Sequence, residues 1–164
     1  LKEFSSFGSF AVHLVEREVV TVATLHMGLK RVAAAIEKTA KEEIGEYQPE
    51  VPPFPAWAPL AESTIDNRVA QGYSPDEPLL RTGDLRDSIS HQVEGLEAAI
   101  GSDSEIALYQ ELGTKTIPPR PFLGPAAIRN EQLTLKTVGA AAVHGITGDK
   151  SLESYHFIAG GADV

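Results

Sequence analysis

Apolar positions recur at intervals of three and four from about Ala11 to Tyr47, with no proline to interrupt them. Val15, Val19, Val22, Leu25, Leu29, Val32, Ile36, Ala40 and Ile44 make one continuous stripe, which predicts a single long amphipathic helix over 11–47. Ser9 offers an N-cap, Glu16 and Glu18 lie toward the positive end of the helix dipole, and Lys38 and Lys41 toward the negative end. Gly45 and Pro49 supply the stop, and Gly28 marks a candidate bend. At ~1.5 Å per residue the helix is a rod of roughly 54 Å, longer than a small domain needs. Leu25, Leu29, Val32 and Ile36 on its stripe are therefore candidate subunit-interface positions as well as core positions.

Beyond the helix the pattern breaks up. Residues 49–59 hold five prolines and Trp57, a rigid linker whose Phe54 and Trp57 can anchor it to the domain. Leu60 to Gln71 predicts a short helix with Ile65 and Val69 inward and Gly72 as its stop. After a turn-rich loop, Thr82 or Asp84 can cap one helical turn that points Leu85 and Ile89 inward. Period-two alternation then predicts a β-hairpin of about Ser88–Val93 and Ala98–Gly101, with Ile89, His91 and Val93 on one face. Residues 106–112 predict two helical turns ending at Gly113. A last helix is expected over about Pro125–Val143, with Pro125 at its first position and Ile128, Leu135 and Val138 on its buried side.

Between these two helices runs Thr114-Lys-Thr-Ile-Pro-Pro-Arg-Pro-Phe-Leu-Gly124. Pro118, Pro119 and Pro121 fix φ and lack amide donors, so Ile117 through Arg120 reads as a stiff, polyproline-like strut. With Arg120 in its middle and Phe122 and Leu123 at its end, it is suited to pinning one element to another. Arg81, Arg86 and Arg120 are planar donors, and Glu111 and Asp84 are their candidate carboxylate partners.

Composition narrows the function. The chain has 164 residues, no cysteine and a formal net charge of −9, which excludes a thiol nucleophile and Cys-ligated zinc and argues against gripping nucleic acid. No uninterrupted apolar run approaches the ~20 residues of a bilayer span, so a soluble protein without membrane contact is expected. The five histidines lack metal-ligand spacing, no carboxylate pair stands in an apolar setting, and neither a phosphate loop nor a nucleophile elbow is present. No cofactor, metal or enzymatic activity is expected.

An ordered series of short motifs carries a resemblance. Trp57-Ala-Pro-Leu60, Thr64 and Arg68 come first, then Leu80-Arg-Thr-Gly-Asp-Leu-Arg-Asp-Ser-Ile89. Tyr109 with Glu111-Leu-Gly-Thr114 follows, then Ile117-Pro-Pro-Arg-Pro-Phe-Leu-Gly-Pro125. Over about Trp57–Ala127 the chain resembles the neck and tail-completion proteins of tailed bacteriophages, including the Mu-type virion morphogenesis proteins. The resemblance implies an α+β fold, a long N-terminal helix and shorter helices packed on a small antiparallel β-sheet. It further implies a non-enzymatic homo-oligomeric ring, commonly of six, at the head–tail junction of the virion. Head-closure or connector proteins and tail-tube proteins are the implied neighbours, and DNA passes through without specific binding.

The motif residues expected to form structure and interfaces are Trp57, Arg81, Gly83, Leu85, Ile89, Tyr109, Glu111, Gly113, Pro119, Arg120, Pro121 and Phe122. The expected organisation is a flexible N-terminus over 1–10, one domain over 11–147 and a glycine-rich arm over 148–164. A morphogenesis factor absent from the finished virion, and a monomeric peptide-binding module using residues 49–59, are the competing readings.

Overall fold

The computed structural model describes residues 3–148. The expected glycine-rich arm over 148–164 lies almost wholly outside them. The described chain is α+β: α1 (Phe7–Glu43), α2 (Glu62–Ala70), α3 (Asp84–Ser88), β1 (Ile89–Glu94), β2 (Glu97–Ser102), α4 (Glu105–Leu112), α5 (Leu123–Arg129) and α6 (Glu131–Thr147). The two strands form one antiparallel hairpin.

These elements pack as two compact units. One holds the described parts of Leu1–Val32, Val93–Ala98 and Gln132–Val164; the other holds Ala33–Gln92 and Ala99–Glu131. Helix α1 and the hairpin each contribute residues to both.

Helix α1 starts four residues earlier than its stripe predicted, because Ser6 is the cap and Ser9 lies inside the first turn. The Ser9 amide donates to Ser6 Oγ at 3.1 Å and the Ser6 amide donates to Ser9 Oγ at 3.1 Å, a reciprocal cap. No acidic residue sits in the first turn, so Glu16 and Glu18 do not act on the dipole. The helix closes at Glu43, and Gly45, at φ +108°, carries the chain away.

In the first unit α1 packs on α6 through small residues. A side-chain carbon on Gly145 would lie 2.4 Å from the Cα of Thr21, so only glycine permits that approach. Gly28, expected as a bend, lies inside the continuous helix and faces Ala141 and Thr137 of α6. Ala141 and Gly145 are the buried residues of α6, whereas Leu135 is exposed and Val138 half-buried. At the hairpin tip, the ring of His26 bonds through Nδ1 with the Gly95 carbonyl at 2.7 Å.

In the second unit the core is Ala40, Ile44, Trp57, Leu85, Ile89, Ala107, Phe122 and Ala126, with Ile36, Leu79, Leu80 and Leu123 packed against it. Burial alternates along β1 as its period-two pattern predicted. Gly83, at φ +96°, is the N-cap of α3, and Thr82 just before it accepts the Asp84 amide through Oγ1 at 3.4 Å. In α2 the inward residue is Arg68 rather than Val69, which is 56% exposed. The guanidinium of Arg68 donates to the carbonyls of Ser74 at 2.6 Å and Leu80 at 2.5 Å, which satisfies loop backbone that no helix or sheet reaches.

The expected last helix is two. Asn130 ends α5 and donates through Nδ2 to the Ala126 carbonyl at 2.9 Å and to Thr39 Oγ1 at 2.8 Å. A side chain that bonds its own backbone competes with helix propagation, and the chain restarts at Glu131. Pro125 stands third in α5, not first, and Ile128 is exposed.

The long apolar stripe has two fates. Val32, Ala40 and Ile44 are buried, whereas Val15, Val19 and Val22 are exposed. Helix α1 is also, by length and composition, a helix capable of spanning a membrane, which the count of uninterrupted apolar runs did not register.

Candidate functional site

The strut and the proline-rich linker meet in one knot within the second unit. Trp57 is buried, and its Nε1 donates to the Pro121 carbonyl at 2.8 Å. The linker is thus anchored, as its aromatics predicted. Phe54 holds it at a second point, with its ring so close to Gly124 that an added Cβ would lie 2.2 Å from it.

Arg120 is buried and works on backbone. Its Nε and Nη2 donate to the Ala58 carbonyl at 3.2 and 3.0 Å, and Nη2 also donates to the Pro59 carbonyl at 3.2 Å. Proline-rich backbone has few amides of its own, so an arginine fork reaching carbonyls on two successive residues holds it. Burial pulls the guanidinium below its usual pKa, and arginine remains charged there.

Glu111, expected as an arginine partner, is a helix cap instead. Its carboxylate accepts the amides of Phe122 at 2.8 Å, Leu123 at 3.1 Å and Gly124 at 3.0 Å. Three orphan donors at the start of α5 are satisfied by one anion at the positive end of the dipole. This explains why α5 begins ahead of Pro125: the proline falls within a first turn whose N–H groups have no helical partner.

Gly113 closes α4 at φ +72°, where an added Cβ would meet the Pro119 nitrogen at 2.9 Å and the Ile117 carbonyl at 3.0 Å. The Arg120 amide then donates to the Gln110 carbonyl at 2.6 Å. Phe122 and Pro121 are fully buried, and Leu85 and Ile89 pack in the same core.

Not every motif residue joins the knot. Arg81 is exposed, bonds Gln71 Oε1 and stacks over Tyr73 at 4.8 Å. Arg86 pairs with adjacent Asp87, and Asp84 Oδ2 accepts the Thr82 hydroxyl at 2.7 Å. The expected pairing of these arginines with Glu111 and Asp84 is therefore replaced by local contacts. Pro119 and Tyr109 are exposed. Among the candidate interface positions of α1, Val32 is buried and Ile36 packs on the chain's own core, so those two serve the fold. Leu25 and Leu29 are half-buried. The exposed apolar positions lie earlier, where an open apolar hollow of about 710 Å³ runs along Ala11, Val12, Val15, Val19 and Val20.

The sequence reading missed Glu43, which lies on the apolar stripe beside Ala40 and Ile44 and is 3% exposed. Arg129 Nη1 donates to its Oε1 at 2.5 Å, and among the described residues Oε2 has no hydrogen-bond partner. Burial pushes this carboxyl up to about 7, opposed by Arg129 and helped by the charge of Glu111. Glu37 is the reverse case: a bond from Lys41 at 2.6 Å, then one from His91, holds it below its usual value. Among the described residues no cluster of His, Asp and Glu is arranged to hold a metal ion.

What the knot can do is mechanical. It locks a linker, a strut and three helices with backbone carbonyls, backbone amides and buried rings. Comparison with protein-family models, curated proteins and solved structures finds no match to this chain.

Proposed function

We propose that the chain is a structural subunit of a tailed-bacteriophage neck or tail-completion assembly. It would form a homo-oligomeric ring at the head–tail junction, commonly of six, through which DNA passes. The observation that supports this reading is where the resemblance motifs lie. Trp57, Glu111, Gly113, Arg120, Pro121 and Phe122 are 64 residues apart in chain order at most between bonded partners, yet they build one buried knot. Motif residues that hold backbone and core, rather than lining an open site, fit an assembly protein.

The net charge of −9 fits a subunit that does not grip passing DNA. In this proposal the neighbours are head-closure or connector proteins and tail-tube proteins, and no cofactor or catalysis is involved. The proline-rich linker is not proposed as a ligand, since Trp57 is buried and hydrogen-bonded.

Light scattering on the purified protein over a wide concentration range tests the proposal. A discrete multi-subunit species is expected. A species that grows without limit, or a strict monomer, counts against the ring.

A further inference from the structure

Helix α6 runs antiparallel along one seam of α1 and stops before the seam does. Phe7, Phe10, Leu14, Arg17, Thr21 and Gly28 follow at intervals of three, four, three, four and seven, so they share one face of the helix. A Cβ on Gly28 would meet the side chains of Thr137 and Ala141 at 3.5 Å, Gly145 lies against Thr21, and Gly148 lies against the guanidinium of Arg17. As α6 advances, its contacts thus step back along α1 toward Phe7. Helix α6 ends at Thr147, and beyond Arg17 the seam is apolar and bare: Leu14 is 51% and Phe7 83% exposed. Phe4 meets one side of the Phe10 ring, centroids 5.2 Å apart, and leaves Phe10 exposed on the other.

We propose that this uncovered end of the seam, Phe7, Phe10 and Leu14, is the docking site of the chain's own segment Leu152–Ile158. The contact lies within one copy and does not rest on the ring reading. Residues 149–164 are outside the described residues, but the point from which they depart is not: Gly148 sets them beside Arg17, the last covered position of the seam. From Arg17 to Phe7 the helix rises about 15 Å. Residues 149–158 reach roughly 30 Å when extended, so the segment spans that stretch with slack. Leu152, Tyr155, Phe157 and Ile158 bring four large apolar side chains within seven residues, which suits two phenylalanines and a leucine. A segment tethered beside its site is present there at an effective concentration on the order of millimolar, which a free partner must exceed.

A polar observation points to the same occupant. Arg17 Nε is buried and has no hydrogen-bond partner among the described residues. A buried donor left unpaired is costly, and a carboxylate is its strongest acceptor. Asp149 follows directly on the glycine that touches Arg17, and Glu153 arrives with the apolar segment. The same stretch of chain therefore supplies both apolar cover for the seam and an acceptor for its arginine.

The test uses the full chain, which has no cysteine of its own. Two doubly substituted variants are compared, Leu14→Cys with Tyr155→Cys, and Val12→Cys with Tyr155→Cys. Val12 is exposed and lies at nearly the same height on α1 but on the opposite side. Disulfide closure in a glutathione buffer is followed at low protein concentration and normalised to the rates in urea. The Leu14 pair should close within one copy about tenfold faster than the Val12 pair, because docking raises the local concentration on one face only. Equal normalised rates overturn the proposal, and so does a disulfide that forms between copies, which would place the segment on a neighbour. Hydrogen exchange gives a second reading in a chain without cysteines. Phe157→Asp with Ile158→Asp should speed exchange of the α1 amides around Phe10–Leu14 and leave the α6 amides around Ala141 as they are. Exchange unchanged at Phe10–Leu14 overturns the proposal.

Discussion

Single side chains settle several backbone accounts in this protein. Glu43 gives the clearest pH dependence. Its carboxyl titrates near 4.5 when the chain is unfolded and is pushed up to about 7 by burial when folded. Between those values the folded chain holds a proton that the unfolded chain has released. Its contribution is therefore fully present below about 4.5, is lost as pH rises to about 7, and is level above that, on the order of 3 kcal/mol in all. Urea unfolding from pH about 5 to about 8 should record that loss, and Glu43→Gln should flatten it. A parent profile that is level across this range would contradict the buried, protonated carboxyl. Glu111→Ala should cost about 2–4 kcal/mol, because three amides at the start of α5 lose their acceptor. Neutral Gln keeps one acceptor oxygen and should recover part of that in the same melts. The position of Glu43 on the apolar stripe was legible; its partner Arg129 was not, since 86 residues separate them.

At the scale of elements, the strut and the helix crossing are the tight points. Phe122→Ala should cost roughly 3–5 kcal/mol, since the ring is wholly buried between strut and core. A loss near zero in thermal or denaturant unfolding would mean that the strut is not held by its apolar end. Gly145→Ala places a carbon 2.4 Å from the Thr21 backbone, so α1 and α6 must separate. Hydrogen exchange should speed at α6 amides while amides of the Phe122 core keep their protection. The linker's anchoring was readable from Phe54 and Trp57, and the strut's from Phe122 at its end. The split into α5 and α6 was not, because Asn130 ends a helix only where Thr39 and the Ala126 carbonyl are both in reach. Glu111's role was hidden for the same reason: a carboxylate next to arginines in sequence found amides in space.

For the whole molecule, charge opposes self-association. At a net charge of −9 per copy, any assembly gathers negative charge. Raising salt from about 0.05 M to about 0.5 M shortens the screening length several-fold and should strengthen association if apolar faces drive it. Weaker association in salt, read by sedimentation or scattering, would instead mean that ion pairs dominate the contact.

The sequence by itself determined the local features: the long helix, the hairpin, the proline-bearing connection without helix or strand, and the stops at Gly45, Gly72 and Gly113. Each follows from periodicity, from the fixed φ of proline or from the positive φ open to glycine, which act within a few residues. Tertiary structure decided the long-range matters. It determined that one end of the apolar stripe is buried and the other bare, that Arg120 and Arg68 serve carbonyls, and that Glu111 caps a helix. Burial and hydrogen-bond partnership depend on which distant segments arrive at a surface, and a periodic pattern states only that a face is apolar, not what covers it.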